Sequence, residues 1–540
     1  MVKTLSSKDA AKVSGSTQEP LDAATMGTIY FDEMSTKIAE PSFKEGRTAL
    51  NPAMAIATLN MVRLSRHQRA SLQSQLYRQI RELVISRKLI PGIRLPSTRD
   101  LVTQLGVSRN TIVNAIDQLV SEGYLNSRVG SGVYVADLKT RAWKAGAEPA
   151  RSVSNLEPPR ISPQAGRISS LRIAPLYPSS KVRPFRPCQP ALDLFPIRNW
   201  NRARSHALSL QLRELLGEGE PAGSSRLRRT LSTYLREARG VRCSAEQIII
   251  TAGTQQALSL IASTLLEAGD RAWIENPGYL GARAALMAGG ARLTAVPIDA
   301  EGLTIAAGQK QPPRLIYCTP SRQFPLGTTM SLSRRLALLD VALSTKAWII
   351  EDDYDSEFRY VDRPLPSLQG LTANPHVIYA GSFSKVLFPS LRLGYLVLPE
   401  NLVEVFRKAK EIHDAGCSTI DQATAAVFIQ EGFFSAHVRR MRKVYRERLE
   451  VFLDEAKKHT AGWLTFGDVE AGMDVTGWLH PGADDARVSA QLADAGVHAP
   501  PLSAYSLTDC DPGLVFGFTA FSPTQLRSAM RTVAESITHM

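Results

Sequence analysis

Cysteine is sparse in this 540-residue chain, and none of the five (Cys188, Cys243, Cys318, Cys417 and Cys510) stands at a CxxC spacing. Scattered single thiols argue against a disulfide framework or a zinc site and suit a reducing compartment, so a cytoplasmic protein is expected. The first thirty residues lack an apolar core behind basic residues, and no secretory signal is expected from them. Long hydrophobic runs are missing as well. The most apolar stretch, Ile248 to Leu266, is interrupted by Thr251, Gly253, Gln255 and Gln256, which suits a buried strand and helix rather than a membrane span. No internal repeat is visible. Acidic residues are scarce in one place only. Residues 1–190 hold 27 Lys and Arg against 14 Asp and Glu, whereas the remainder holds 37 of each, so the whole net charge of +13 sits in the first third. A basic first third on a neutral remainder suits a polyanion-binding module joined to a second function, although a solvated basic surface would look the same.

The hydrophobic pattern divides the chain. Residues 1–68 carry no sustained periodicity and read as a mobile extension. Residues 69–137 are dense and mostly helical. A Pro-, Ser- and Arg-rich stretch over 138–185, with Glu157-Pro-Pro-Arg160 and Ile161-Ser-Pro-Gln164, reads as a solvated linker. Over 186–540 short β-branched runs such as Gln247-Ile-Ile-Ile-Thr251, Arg314-Leu-Ile-Tyr-Cys318 and Ala347-Trp-Ile-Ile-Glu351 alternate with amphipathic helices. That alternation predicts an α/β fold with a mostly parallel sheet.

In the basic module Leu76, Ile80, Leu83 and Val84 form one stripe on a first helix that Pro91-Gly92 breaks. Ser97 caps a second, short helix bearing Leu101 and Leu105. Gly106 turns the chain, and Ser108 caps a third helix with Val113, Ile116, Leu119 and Val120 on one face, ended by Gly123. Two short strands then flank Val129-Gly-Ser-Gly132. Two helices joined by a Gly-containing turn form the helix-turn-helix unit, whose second helix enters the major groove N-terminus first. Small helical packing units share that pattern, which alone leaves both readings open. The order Leu95-Pro-Ser-Thr-Arg-Asp-Leu-Val102, Leu105-Gly-Val-Ser-Arg-Asn-Thr-Ile112, Leu119-Val-Ser-Glu-Gly-Tyr-Leu125 and the Gly-Ser-Gly hairpin closely resembles the GntR-type winged helix-turn-helix. The resemblance implies DNA contacts from Ser97, Thr98 and Arg99, from Ser108, Arg109, Asn110, Thr111 and Asn114, and from Arg128, Gly130 and Gly132 in the wing. Arg suits guanine and Asn suits adenine, while Ser and Thr suit phosphates.

Three segments of the larger module carry chemistry. Thr251-Ala-Gly-Thr-Gln-Gln256 places a glycine turn between a strand and a helix, which suits a phosphate and is also a common structural turn. Ile350-Glu-Asp-Asp-Tyr-Asp355 puts carboxylates at the C-terminal end of an apolar run, where α/β ligands bind; a solvated loop or a metal site would look similar. Gly381-Ser-Phe-Ser-Lys385 sets a lysine among apolar neighbours, where a Schiff base is favoured over a solvated surface amine, and Arg392 follows seven residues later. Together and in this order they resemble the fold-type I aminotransferases. The resemblance implies pyridoxal 5'-phosphate (PLP) held as an internal aldimine on Lys385, with Asp352 on the pyridine nitrogen and Tyr354 at the 3-oxygen. It also implies Gly253, Thr254, Ser382 and Arg392 around the phosphate, and Tyr279 stacked on the ring. A winged helix followed by this domain, with Glu351-Asp-Asp-Tyr-Asp-Ser-Glu-Phe358, is similar to the MocR/GabR-type transcriptional regulators.

The departures from the aminotransferase pattern bear on activity. Ala252 stands where serine is usual, and Arg322-Gln-Phe-Pro-Leu-Gly327 lacks the customary asparagine, for which Gln323 is the expected substitute. Val515 occupies the place of the arginine that binds a substrate α-carboxylate, leaving Arg283 or Arg322 as expected partners for such a group. The resemblance therefore implies a cytoplasmic regulator that binds promoter DNA as a head-to-tail homodimer and senses an amine or amino-acid-like effector, with no metal and no membrane. A sensor of PLP itself would use the same residues. The alternative is an active aminotransferase with an appended DNA-binding domain.

Overall fold

The structure, a computed structural model, describes residues 58–66, 68, 70–128, 130–138, 160–170, 183–305, 312–361, 366–371 and 376–538. Most of the expected extension and linker, and Val129 in the wing, lie outside the described residues. The chain divides into two compact units, residues 1–158 and 159–540.

The first unit is a winged helix-turn-helix. Helix α1 (Leu72–Ile85) buries Leu76, Ile80, Leu83 and Val84, the stripe read from the sequence. It stops well before Pro91, because Arg87 takes the left-handed conformation at φ 54° and Leu89 N–H closes back on the Leu83 carbonyl. Helix α2 (Thr98–Leu105) starts with a capping box between Ser97 and Asp100 and ends at Gly106, whose φ of 64° favours glycine. Helix α3 (Arg109–Ser121) is capped by Ser108. Its buried face is Ile112, Ala115, Ile116 and Leu119, an i, i+3, i+4, i+7 series. Val113 and Val120, expected on that face, are only half-buried, so the helix is turned by one residue from the sequence reading. Strands β1 (Leu125–Arg128) and β2 (Gly132–Val135) pair antiparallel as the wing, and Arg94 bridges to Tyr134 on its other edge. The core begins earlier than expected. Leu59 and Val62, placed in the mobile extension by the sequence reading, are buried, and Arg63 and Ser65 donate backbone N–H groups to Gln79 and Gln75 of α1 at 2.8 and 3.0 Å.

The second unit is built on an eight-stranded sheet. Its strands are β3 (Ile248–Thr251), β4 (Arg271–Asn276), β5 (Arg292–Asp299), β6 (Gly302–Leu303), β7 (Leu315–Cys318), β8 (Trp348–Asp353), β9 (Val377–Ser382) and β10 (Gly394–Val397). Their spatial order is β3-β10-β9-β8-β7-β4-β5-β6, and only β10 and β6 run against the rest. Strands β3, β7, β9 and β10 are buried throughout, which is why they read as continuous apolar runs rather than alternating ones. Helices α4 (Thr254–Leu265) and α5 (Leu280–Ala288) cover one face through Leu258, Ile261, Ala285 and Leu286. A second cluster holds Leu231, Leu235, Tyr379, Val397 and Phe428 together with residues of the long helix α6 (Phe433–His459), so the sheet is buried on both sides. A smaller antiparallel sheet follows, of β11 (Thr465–Phe466), β12 (Asp474–Trp478) and β13 (Gly513–Gly517).

Two pieces of the expected linker belong to this unit. Residues 163–170 are helical, and Gln164 Nε2 donates to the Ala288 carbonyl of α5 at 2.9 Å. Phe185 is fully buried, edge-on to Phe452 and Phe516 at 5.5 and 5.6 Å, so the core starts at the residue assigned to the linker's end. Because β4, β7, β8 and β9 are parallel, the loops after all four leave the sheet at one edge, and there a site can be assembled.

Candidate functional site

At that edge lies a cavity of about 420 Å³, well within the usual range for small-molecule sites of ~300–1,000 Å³. Strand alternation sorts the acidic run of β8. Glu351 accepts the backbone N–H groups of Leu368 and Gln369 at 2.7 and 2.9 Å, and Asp353 accepts Arg239 and Tyr379 at 2.8 and 2.6 Å. Asp352, between them, points to the opposite face and into the cavity. The run is therefore neither a solvated loop nor, among the described residues, part of a metal-binding cluster. Asp352 Oδ2 accepts the Tyr317 hydroxyl at 2.8 Å, while Oδ1 is buried with no partner. Burial pushes its carboxyl up to about 7 against the opposing effect of that hydrogen bond. Tyr317, in the apolar run Leu-Ile-Tyr-Cys of β7, was not singled out by sequence; only its polar atom among apolar neighbours could have signalled it.

Lys385 lies in the turn after β9, half-buried and lining the cavity, with Nζ donating to the Cys188 carbonyl at 3.2 Å. Thr254, Ser382 and Arg392 line it too, joined by Gln255 and Ser384, which the sequence reading left out. Gly253 is the N-cap of α4 at φ 90°, with no side chain capping the helix, so the first N–H groups of α4 are available to an anion. The site of a Cβ on Gly253 is 3.8 Å from the Arg392 guanidinium, and a Cβ on Gly394 would meet the Gly253 backbone at 3.0 Å. The cradle therefore depends on two glycines in contact. Tyr279 lines the cavity edge-on to Phe324 at 6.3 Å.

Tyr354 also lines the cavity, and its phenol oxygen accepts Arg322 Nη1 at 2.8 Å, which turns the phenol's own proton away from Arg322. Arg322 is fully engaged elsewhere as well: Nε on the Ala471 carbonyl at 3.0 Å, Nη1 on Asp355 at 3.2 Å, and Nη2 on the Asp474 carbonyl and carboxylate. It lies outside the cavity lining and has no donor to offer a ligand, contrary to the expectation that it could bind a carboxylate. Arg283, the other expected partner, does not line the cavity either. Nor does Gln323, expected to replace the missing asparagine. Its amide is spent on the Pro277 and Phe324 carbonyls at 2.8 and 2.6 Å and on Leu326 N–H at 3.0 Å, which pins the loop instead. Val515 packs into an apolar cluster with Leu280, Phe324, Leu502 and Tyr505, and does not itself line the cavity.

In the first unit the expected DNA-reading residues gather on exposed backbone. Ser108, Arg109, Asn110 and Asn114 are exposed at the start of α3, and Thr111 is half-buried with its N–H on Ser108 Oγ at 3.2 Å. Ser97 and Arg99 are exposed and Thr98 half-buried at the start of α2, but the Ser97 hydroxyl is already donated to Asp100 at 2.6 Å. In the wing Arg128 lies over the Tyr134 ring at 5.0 Å, and Gly130 and Gly132 take φ 73° and 113°. A Cβ on Gly132 would stand 2.7 Å from Arg94 Nε, so Arg94 rests on the wing next to these residues. The sequence offered Arg94 only as one more basic residue before Leu95-Pro-Ser.

A small winged unit with an exposed, polar recognition-helix start, joined to an aminotransferase-like unit with a lysine-bearing cavity, is the architecture of a two-part regulator of the helix-turn-helix class. Comparison with known proteins agrees with both parts. Residues 72–135 match the bacterial regulatory proteins of the gntR family, and residues 189–531 match aminotransferase class I and II, a PLP-dependent fold family. The chain is 36% identical over 478 residues to the probable rhizopine catabolism regulatory protein MocR of Rhizobium meliloti, covering 88% of this chain and 95% of that one. It is 32% identical to the HTH-type pyridoxine biosynthesis transcriptional regulator PdxR of Corynebacterium glutamicum, covering 88% and 98%. The second unit is similar to LysN, an α-aminoadipate aminotransferase of Thermus thermophilus, at a TM-score of 0.65 and 27% identity over 70% of this chain and 97% of that one. The chain belongs to the MocR-type transcriptional regulators, in which a GntR helix-turn-helix domain is joined to an aminotransferase class I and II domain. Among the described residues no helix is long and apolar enough to cross a membrane.

Proposed function

We propose that residues 69–137 bind promoter DNA, that the cavity at Lys385 holds PLP, and that an amine or amino-acid-like effector entering this cavity sets the affinity for DNA. The observation that carries the reading is the unpartnered oxygen of Asp352, buried in the same cavity as Lys385. A buried carboxylate oxygen without a donor is costly, and a protonated pyridine nitrogen would supply the donor. When bound, PLP supplies an aldehyde that takes up primary amines reversibly and a ring that draws electrons from them. The chain's own residues divide the remaining work. Lys385 Nζ would hold the aldehyde carbon. Asp352, fixed by Tyr317, would keep a proton on the ring nitrogen. Tyr354, its oxygen already accepting from Arg322, would direct its hydroxyl proton to the ring oxygen. Arg392, Thr254, Ser382 and the uncapped N–H groups behind Gly253 would hold the phosphate, and Tyr279 would cover the ring.

On the DNA side Arg109 and Asn110 would read base edges, with Ser108, Thr111, Asn114 and the α2 start on phosphates and Arg128 with its glycine turn at the wing. A head-to-tail homodimer would carry two such heads and read two half-sites, and the chain joining the two units would pass a change in the cavity to the heads. The test is a promoter-fragment binding assay on the full chain with a panel of amines and amino acids, with and without PLP. The expected result is a PLP-dependent change in affinity or footprint with a subset of amines. Indifference to every amine, with several turnovers per second on ordinary α-amino acids, would replace the reading with an aminotransferase.

A further inference from the structure

One cation of the cavity has no part in holding the cofactor. Of its lining side chains Arg186, Lys385, Arg392 and His498 are basic, and Asp352 is the carboxylate among the described residues. Arg392 stands beside Gly253 at the phosphate cradle, and Lys385 and Asp352 have their roles at either end of the ring. Arg186 remains. No carboxylate or carbonyl among the described residues receives its guanidinium, although the residue is half-buried and lines the cavity two residues before Cys188, whose carbonyl accepts Lys385.

The strap carrying Arg186 is held on both sides. Gly517 of β13 donates its N–H to the Phe185 carbonyl at 2.7 Å, His498 donates its N–H to the Pro184 carbonyl at 2.9 Å, and a Cβ on Gly517 would collide with the Arg186 carbonyl. A cation on a fixed backbone in a partly desolvated cavity is a ready-made receptor for an anion, because little ordering is left to be done on binding. The other routes for a ligand's acidic group are closed: Val515 lies within an apolar cluster, Arg322 has spent its donors, and Arg283 is not in the lining.

Resting on the cofactor reading above, we infer that Arg186 receives the acidic group of the effector, so the amines selected by this cavity are those that also carry an oxyanion, a carboxylate or a sulfonate. His498 lines the cavity beside Arg186 but adds no positive charge to it at neutral pH. Burial, and then the charges of Arg186 and Arg183, bring its pKa down to about 4, which leaves Arg186 as the charge that an oxyanion would meet there.

The experiment titrates the full-length, PLP-loaded protein with 3-aminopropanoate, 2-aminoethanesulfonate and n-propylamine by calorimetry, alongside R186Q and R186K. The wild-type protein is expected to prefer at least one acidic amine over n-propylamine by roughly 10–100-fold, the scale of a charge-assisted hydrogen bond. R186Q is expected to reduce that ratio to within about two-fold, and R186K, which keeps a point charge but not the fork, to recover part of it. A carboxylate preference with no sulfonate preference, or the reverse, assigns the oxyanion. Absence of the visible cofactor band from the loaded wild-type protein would overturn the cofactor reading itself. A protein that carries the band yet gives R186Q the wild-type ratio, or shows no preference for acidic amines at all, overturns the assignment of Arg186 alone.

Discussion

The start of α3 and the cavity at Lys385 solve opposite problems. At the helix start Ser108, Arg109 and Asn110 are consecutive and exposed, and of these Ser108 is the one bound into the helix's own architecture, as its cap. In the cavity, residues from Arg186 to Tyr505 converge from segments far apart in sequence, and several polar atoms are already bonded to protein groups, such as Asp352 Oδ2 to Tyr317, Tyr354 to Arg322 and Lys385 to the Cys188 carbonyl. The difference follows from solvent. Exposed groups can wait for a macromolecular partner with water as a stand-in, whereas buried ones cost several kcal/mol unless satisfied. An unpartnered buried atom is therefore informative in the cavity and would mean nothing on the helix. The two sites should also be separable by mutation.

The largest expected effect tests that separation directly. Lys385→Ala should abolish the visible absorption of the protein-bound cofactor after dialysis, while the effector-free footprint on promoter DNA keeps its position. A persistent band would remove Lys385 from the assignment, and a lost footprint would show that the sites are not independent.

Next in size is a pH effect confined to the cavity side. Burial pushes Asp352 and Glu275 up to about 7 and, with the charge of Asp474 offsetting Arg322, Asp355 up to about 8. Each folded value stands above the unfolded carboxylate value near 4. The folded state therefore holds these protons longer, so their contribution is full below pH ~4 and is lost as pH rises through 7 to 8. Cofactor-free protein should lose on the order of a few kcal/mol of stability across that window, read from urea midpoints. Asp352→Asn should flatten part of the fall and weaken PLP binding, and saturating PLP should flatten it in the wild type. A fall that steepens with PLP would contradict a cation at Asp352.

The same contrast explains what the sequence could and could not disclose. The winged unit was legible almost whole because its signals are local: caps at Ser97 and Ser108, left-handed glycines, and a contiguous string of recognition residues. Its errors were local too, since Val113 and Val120 are as apolar as Ile112 and Ala115, and only packing chooses between two overlapping stripes. In the larger unit the strands and the lysine motif were legible. Tyr317 and Arg186 were not, because they enter the cavity from segments whose neighbours are unremarkable and whose meeting depends on sheet order, while Gln255 and Ser384, inside the quoted motifs, were passed over for Thr254 and Lys385 beside them. Arg322 misled for a related reason. A charged residue beside a familiar motif looks available until Asp355, Asp474 and Tyr354, distant in sequence, are seen to surround it.

On the DNA side Arg109→Ala and Asn110→Ala should each cost roughly 1–3 kcal/mol of specific affinity, the value of one bidentate base contact. The cofactor spectrum should be unchanged in both. Wild-type footprints from both variants would move the base reading to the wing around Arg94 and Arg128.

The smallest expected effect separates folding from recognition within one residue. Ser108 is both the cap of α3 and a candidate phosphate contact. Its Oγ accepts Thr111 N–H at 3.2 Å and lies 2.8 Å from Thr111 Oγ1. Ser108→Ala should destabilise the winged unit by about 1 kcal/mol, the usual cost of a lost N-cap, and should weaken DNA binding as well, which by itself does not say which role matters. Ser108→Asp divides them. Aspartate caps as well as serine and favours the positive end of the helix, so stability should match or slightly exceed the wild type. The same carboxylate would face DNA phosphates, and affinity should fall for every sequence alike, since phosphate contacts carry no base information. Full stability with wild-type affinity would mean that Ser108 only caps, and that the DNA approaches α3 from Asn110 onward.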